Sequence, residues 1–542
     1  MGSIAAVRTP DVAVCGAGPV GLTSAALLSQ RGLNVVVLEK NSTTSNEPKA
    51  ISVDDETLRV FQHAGVADAV MDVVVPGTGT RYYDRYGAAL FQARGASPFR
   101  LGHPFKNPFA QPDLERVLVE ALRARAQVDL RFDTEVVDFE QAPDKVTVHT
   151  RGKSGDQSFD VPYVFGCDGG RSATRLLQGG TMTGRSHKDV WLVVDTIGDS
   201  HTERFAMHHG NPVRPHVIVP GLAGRCRYEF RLFDGEGRPE DTPAFELIDA
   251  LVSPFRPIRP DQVVRAVNYR FNAVVADQWQ IGRSFLLGDA AHMMPPFAGQ
   301  GLNTGIRDAA NLTWKIADVL DNKLDPSVLA SYQPERAPHA WATVRLSEQL
   351  GRIVMTTSAR IAKRRDDIIR SAVATSDGRK FLEEMRYRPT QHYTDGLVLA
   401  SDDADIVGVS IGQPLAFDSR THRVDWLDDI VGTRWTLFGV NVHEEDWSQT
   451  EELRRCLEAS TAVISTREDL PCTDHQVLID VDNGLNTEFS PYAGRFVLMR
   501  PDKFVAAAWR PRSSAEVIPS LLRWTTAYAP ATPELQDGQR TS

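Results

Sequence analysis

Residues 11–21 read Asp11-Val12-Ala13-Val14-Cys15-Gly16-Ala17-Gly18-Pro19-Val20-Gly21, and this stretch decides the fold. A short apolar run of strand length leads into G-x-G-x-x-G. A helical pattern follows, with Leu22, Ala25, Ala26, Leu27 and Leu28, and stops at Arg31-Gly32. A second apolar strand, Asn34-Val35-Val36-Val37-Leu38, ends at Glu39, 18 residues after Gly21. Strand, glycine turn, helix and strand make a βαβ unit of about 30 residues, the setting in which this motif reads as a dinucleotide-binding fingerprint. Gly16 permits the tight turn, Gly18 lets a pyrophosphate approach the backbone, and Gly21 allows close helix–strand packing. Pro19 and Val20 open the helix, whose free N–H groups and positive dipole end suit phosphates. Glu39, with Lys40 beside it, can accept hydrogen bonds from ribose hydroxyls. The plain alternative is a glycine-rich turn without a ligand, which the agreement of all the parts disfavours. The fingerprint alone does not choose between FAD and NAD, and no second copy follows it.

Composition bounds the rest. The 542 residues exceed one compact core and predict two or three domains. With 60 Lys+Arg against 70 Asp+Glu the net charge is -10, a poor basis for binding nucleic acid. No apolar run approaches the roughly 18 residues of a membrane span, and the first residues show no secretory pattern. The five cysteines are scattered at 15, 167, 226, 456 and 472, without a C-x-x-C. That argues against a disulfide scaffold, a zinc site or a dithiol centre, and points to reduced thiols in a cytoplasmic protein without a metal.

Two further segments carry chemistry. Residues 163–172 read Tyr-Val-Phe-Gly-Cys-Asp-Gly-Gly-Arg-Ser, and residues 285–303 read Phe-Leu-Leu-Gly-Asp-Ala-Ala-His-Met-Met-Pro-Pro-Phe-Ala-Gly-Gln-Gly-Leu-Asn. In the latter, an apolar strand ends at Gly288-Asp289, placing an acceptor at a strand end. Gly299, Gly301 and Gly305 let backbone approach a flat ring, and a helix follows from Asn303 to Leu320. Together with the N-terminal fingerprint, these segments resemble the three signatures of the group A flavoprotein aromatic hydroxylases, the family of para-hydroxybenzoate hydroxylase. Within it the chain is similar to the 3-(3-hydroxyphenyl)propionate hydroxylase branch, nearly end to end. The similarity includes Ala50–Leu58, Val213–His216, Tyr332–Arg336 and Met499–Ala506.

The resemblance implies an FAD-dependent monooxygenase. It would use NADH or NADPH and O2 to hydroxylate a small phenolic aromatic through a flavin C4a-hydroperoxide, in aromatic-compound catabolism, as a homodimer. It implies FAD contacts at Gly16, Gly18, Pro19, Val20, Gly21, Glu39, Lys40, Lys49, Gln111, Asp168, Gly288, Asp289 and Pro295, and at the amides of Gly301, Leu302 and Asn303 beside the flavin pyrimidine. Asp168 reads equally as the N-cap of a helix over Arg171–Leu177. Gln111 reads equally as a loop residue before a helix. Where the family has Arg before Ala, this chain has Lys49-Ala50, which keeps the charge and loses the bidentate fork.

The resemblance also implies an α/β architecture. A Rossmann-like FAD-binding domain (8–78, 107–185 and 276–345) carries an inserted mixed β-sheet substrate domain (79–106 and 186–275). A helical connector (346–400), a C-terminal thioredoxin-like domain (401–528) and a disordered tail (529–542) complete it. The candidate substrate-side groups are His216, Arg214 and Tyr228, with Tyr269, His103 and the Pro295 carbonyl. A histidine suits a base and an arginine suits a carboxylate, and both would share one face of a strand. Their alternative role is that of ordinary sheet residues. His292, inside the third motif, reads as structural or flavin-adjacent. Competing readings are a hydroxylase of a larger bicyclic or polyketide-like aromatic, a reductase that does not activate oxygen, and a non-catalytic FAD-binding scaffold. A flavin-dependent halogenase is disfavoured because W-x-W-x-I-P is absent.

Overall fold

The computed structural model describes residues 9–45, 49–153, 155–399, 404–464 and 473–527. The expected disordered tail at 529–542 and Cys472 lie outside these residues. The chain forms two compact units. The first takes the residues up to Trp314, Tyr332–His392 and Gly412–Pro414, and the second takes Lys315–Ser331, Tyr393–Ile411 and the residues from Leu415 onward.

The first unit is built on a six-stranded sheet in the order Gln280–Ile281, Ser284–Leu286, Tyr163–Gly166, Val12–Cys15, Val35–Leu38, Val128–Arg131. All neighbours are parallel except the first pair. The Val12–Cys15 and Val35–Leu38 strands are buried at every residue, which is why they read as continuous apolar runs rather than alternations. The Pro19–Gln30 helix follows the first strand with proline in its first turn, where the missing N–H costs nothing. A three-stranded antiparallel meander spans Thr134–Gln141, Val146–Gly152 and Gly155–Val161.

An eight-stranded sheet covers this core. Its order is His292–Met293, Val263–Ala276, Met182–Thr196, Cys226–Arg231, His216–Pro220, Ala206–His209, Thr80–Tyr83, Ala89–Ala93. The two long strands Met182–Thr196 and Val263–Ala276 pair antiparallel, and His292–Met293 of the third motif adds an edge strand to them. A separate two-stranded ribbon joins Ser52–Asp54 to Lys106–Pro108. The 346–400 segment supplies the end of the Tyr332–Val354 helix and the helices Ala359–Val373 and Ser376–Glu383.

The eight-stranded sheet has two different faces. One carries Leu192, Val194, Ile218, Tyr228 and Phe230, packed against Ile248 and Val252 of the Phe245–Val252 helix. The other carries Trp191, Val217, Val219 and Phe271, packed against Ile51, Phe297 and Met355. Phe297 belongs to the third motif, so this second face is the one turned toward the motifs.

The second unit holds a seven-stranded sheet in the order Arg423–Trp426, Leu415–Asp418, Gln476–Asp480, Ser460–Ile464, Thr436–Val440, Arg495–Met499, Val505–Trp509. Its Thr436–Val440 strand is parallel to Ser460–Ile464 and antiparallel to Arg495–Met499. An antiparallel hairpin to Val505–Trp509 and a closing helix, Ser514–Leu522, complete a thioredoxin-like half. Phe438, Val440, Ile464, Leu478, Phe489 and Val497 form its core.

Candidate functional site

The three motifs converge in the first unit. Gly16 takes φ +104°, and a Cβ there would lie 2.6 Å from the Cys167 carbonyl oxygen, so the first motif presses on the second. A Cβ on Gly21 would collide with the Gly16 carbonyl oxygen. On Gly305 it would lie 2.7 Å from Val20 Cγ2 and 2.8 Å from Gly288 Cα, so the first motif also meets the third. Gly18 is the exception, since a Cβ there would meet nothing within 4 Å. Three glycines close the packing, and the fourth faces open space at a helix N-terminus, as a phosphate-binding turn requires.

Glu39 is held for use. Its Oε2 accepts the Ala17 amide at 3.0 Å, and its Oε1 accepts the Asn41 amide at 3.0 Å and the Asn41 side chain at 2.6 Å. The carboxylate is therefore fixed at the end of the second strand, beside the glycine turn. Lys40 and Lys49 are both exposed, and the Lys49 carbonyl accepts Arg227 Nη1 at 2.6 Å.

Gln111 begins the Gln111–Arg123 helix, so it is not a loop residue. Its Oε1 accepts the Ala50 amide at 2.8 Å and its Nε2 donates to Glu115 at 2.7 Å. Glu115 was not singled out from the sequence, although the i, i+4 spacing from Gln111 signals the pair. Burial pushes its carboxyl up to about 7, opposed by the Gln111 hydrogen bond and Lys49.

Asp168 is not the N-cap itself, which is Ser172, but braces that helix start. It accepts the Ser172 hydroxyl at 2.5 Å, and the Thr174 amide at 2.8 Å and hydroxyl at 3.0 Å, while Ser172 caps the Ala173–Leu177 helix. Asp289 follows Gly288, whose φ is +59°. Its side chain is exposed yet crowded by protein, and that crowding raises its carboxyl above the usual range while His292 and Lys49 oppose the rise.

The Gly301–Leu320 helix begins at the third motif, so the amides of Gly301, Leu302 and Asn303 fall in its first turn, where donors lack intrahelical partners. The Asn303 side chain is fully engaged. It accepts the Asp54 amide at 3.0 Å and the Thr57 hydroxyl at 2.7 Å, and donates to the carbonyls of Ser52 and Gly299. His292 is structural: its Nε2 lies 2.7 Å from Asp308, which also accepts Arg336 Nε at 3.0 Å.

The substrate-side candidates do not gather. Arg214 lies just before the His216–Pro220 strand and makes a two-point pair with Glu236 at 2.6 and 2.7 Å. His216 lies in the face packed on the Phe245–Val252 helix side, stacked on His209 at 4.3 Å and beside Phe255. Tyr228 shares that face and donates to Asp199 at 2.7 Å. The strand alternation turns both away from the Trp191–Phe297 face. His103 engages Gln62 at 2.9 Å. Tyr269 does reach the motif side. It pairs with Trp191 across the strands, packs on Phe271 at 5.4 Å, and feels the charge of Asp289. Pro295 is buried at the start of the Pro296–Ala298 turn.

On the Trp191 face, the ring of Trp191 meets Phe271 at 5.7 Å and Phe297 at 5.5 Å. Polar groups missed by sequence reading line the same side. Arg227 pairs with Asp195 at 2.7 Å, and His208 packs on Tyr82 at 5.1 Å. A neighbouring pocket is lined by Ile51, Phe109, Asp195, Val219, Arg225 and Arg227.

A glycine turn open at a helix N-terminus, a carboxylate fixed at the end of the second strand and a glycine loop facing an aromatic wall are the parts a flavin-dependent aromatic hydroxylase needs. The comparisons agree. The FAD binding domain family matches residues 9–347, and the HcaD C-terminal domain family matches residues 408–523. The chain is 33% identical to the 3-(3-hydroxy-phenyl)propionate/3-hydroxycinnamic acid hydroxylase of Mycolicibacterium smegmatis, over 92% of this chain and 90% of that one. It is 34% identical to the second such enzyme of Burkholderia vietnamiensis, over 92% and 93%. Among solved structures it is similar in fold to aklavinone-11 hydroxylase with FAD and aklavinone, with a TM-score of 0.77 at 22% identity over 95% and 98% of the two chains. The flavin-dependent monooxygenase PieE with FAD and substrate matches equally well, with a TM-score of 0.77 at 21% identity over 96% and 99%. The chain belongs to the group A FAD-dependent aromatic hydroxylases, the family that includes these 3-(3-hydroxy-phenyl)propionate hydroxylases.

Proposed function

We propose that this enzyme hydroxylates the ring of a phenolic aryl-alkanoate of the 3-(3-hydroxyphenyl)propionate type, with NADH or NADPH as reductant, in the catabolism of aromatic compounds. The observation that carries the reading is the aromatic wall of Trp191, Phe271 and Phe297, set directly against the third-motif loop. Such a wall accepts a flat ring and keeps water from the reacting atoms. The two curated relatives act, by their names, on that class of acid.

The residues fit FAD, because the Gly18 opening and the fixed Glu39 acceptor are built for a pyrophosphate and a ribose. When bound, FAD supplies the redox chemistry, taking a hydride from the nicotinamide and activating O2. Gly16, Gly18, Pro19, Val20 and Gly21 would hold its phosphates, Glu39 its ribose, and the Gly301–Asn303 amides its ring. Those amides, at a helix N-terminus, favour negative charge on the neighbouring ring. The protein's own work is to hold the aromatic substrate against that ring and exclude water. The four described cysteines are free thiols, in keeping with a cytoplasmic enzyme.

The test is NADH consumption by the FAD-loaded protein with 3-(3-hydroxyphenyl)propionate, scoring hydroxylated product against hydrogen peroxide. Product formed in step with NADH use is the expected result. NADH use that yields mostly peroxide would exclude this substrate class, and the search would move to larger aromatics. No stimulation with either NADH or NADPH would do the same.

A further inference from the structure

Lys106 is a buried lysine without an ion pair among the described residues. It begins the Lys106–Pro108 strand and is 8% exposed. Among the described residues its ammonium has neither a hydrogen-bond partner nor a carboxylate at ion-pair distance. Asp54, opposite it across the ribbon, is taken: its Oδ1 caps Thr57 at 3.0 Å, and its Oδ2 receives Arg307, Gln300 at 3.3 Å and Arg388 at 3.6 Å. Lysines are almost never buried unless paired, so this position calls for an explanation.

Its surroundings supply one. The Lys106 Nζ lies 3.8 Å from where a Cβ on Gly299 would sit, so the ammonium rests against the third-motif loop. Gly299 takes the left-handed conformation, φ +62°, that ends the Pro296–Ala298 turn. His208 comes from the strand beside His216–Pro220, on the same face as Ala206 of the Trp191 cluster. It has no hydrogen-bond partner among the described residues. Burial, with Lys106 second, holds its imidazole near 3, so it is neutral at working pH. Burial and the nearby Arg388, opposed by Asp54, also bring Lys106 down to about 8, still mostly protonated at neutral pH. One unpaired cation and one neutral imidazole thus lie on the side of the sheet where Trp191, Phe271 and Phe297 form an apolar wall.

We infer that Lys106 is the substrate-binding cation of this chamber, pairing with the carboxylate of an aromatic acid whose ring lies on the Trp191–Phe271 wall. This rests on the substrate class proposed above and names the residue that recognises it. A carboxylate fits better than a phenol, because it is fully charged at neutral pH and brings no proton to lose. Binding then fills the counter-charge that the fold leaves open.

The test uses full-length, FAD-loaded wild type, Lys106→Met and Lys106→Arg. Each is titrated with 3-(3-hydroxyphenyl)propionate and with 3-ethylphenol, which keeps the ring and lacks the carboxylate. Binding is read by the flavin absorbance change and by the ligand-induced rise in Tm. Wild type should prefer the acid. Lys106→Met should weaken the acid about 100-fold and 3-ethylphenol less than about threefold, and Lys106→Arg should recover part of the loss. Without ligand, Lys106→Met should melt at or above wild type, because it removes an unpaired buried charge. Acid affinity within threefold of wild type in Lys106→Met overturns the inference, as does a wild type that binds the acid no better than 3-ethylphenol. An acid bound through Lys106 but not hydroxylated would refute the proposed function alone. Hydroxylation undisturbed in Lys106→Met would refute the lysine assignment alone.

Discussion

His292 Nε2 and Asp308 Oδ2 lie 2.7 Å apart with both side chains closed off from solvent. This pair fastens the third motif to the helix behind it. Asp308 also accepts the Gly288 amide at 3.1 Å and Arg336 Nε at 3.0 Å, so one carboxylate serves a histidine, an arginine and the glycine turn. Those partners hold it below the usual carboxylate range despite its burial. Asp308→Ala would strand Arg336 and His292 in the core. The expected cost is about 3–5 kcal/mol, read as a large fall in the denaturant midpoint. Asp308→Asn should fall between that variant and wild type.

Gly21→Ala tests the packing of the first motif. The added methyl would meet the Gly16 carbonyl oxygen, which is backbone and cannot swing aside. The helix must shift away from the strand, at about 1–3 kcal/mol, and the phosphate turn shifts with it. The purified variant should carry less than a tenth of the wild-type flavin absorbance. Full FAD occupancy at an unchanged Tm would contradict this account.

Glu39→Ala separates binding from packing. The carboxylate is half exposed and, among the described residues, supports only the Ala17 amide and Asn41. Fold stability should change little, whereas the FAD dissociation constant should rise about tenfold or more, equivalent to at least roughly 1.4 kcal/mol. Ultrafiltration of the reconstituted protein measures it directly.

The stacked pair His209 and His216 predicts acid sensitivity. Burial lowers their imidazoles to about 3 and about 4, against roughly 6.5 in an unfolded chain. Between those values the unfolded chain takes up protons that the folded one does not. The stabilisation is therefore fully present above about pH 6.5 and is lost as pH falls toward 4, by about 2 kcal/mol per histidine at pH 5. His216→Phe should keep the stacking on Phe230 and Phe255 and lose less Tm than wild type between pH 7.5 and 5.0. An equal loss would show that other groups govern the acid transition.

The sequence by itself determined the nucleotide-binding core and the reaction class. Gly16, Gly18 and Gly21 act through backbone geometry and Glu39 through a carboxylate at a strand end, and all four are close enough in the chain for a local pattern to encode them. The same holds for the glycine loop at 299–305 and for the Gln111–Glu115 spacing, which was there to be read. What only the tertiary structure decided is which side chains face one another across the substrate sheet. Strand alternation makes two faces, but it does not say which face meets the motifs. Here Phe297, brought in from the third motif, chooses the Trp191 face and leaves His216 and Tyr228 on the other. Arg214 likewise read as a candidate for a substrate carboxylate or as an ordinary sheet residue, and the fold set Glu236 against it, 22 residues on. Lys106 carried no signal in the sequence, since burial is a property of the assembled layers. Its isolation results from Asp54 being claimed by Arg307, which lies 253 residues away in the chain.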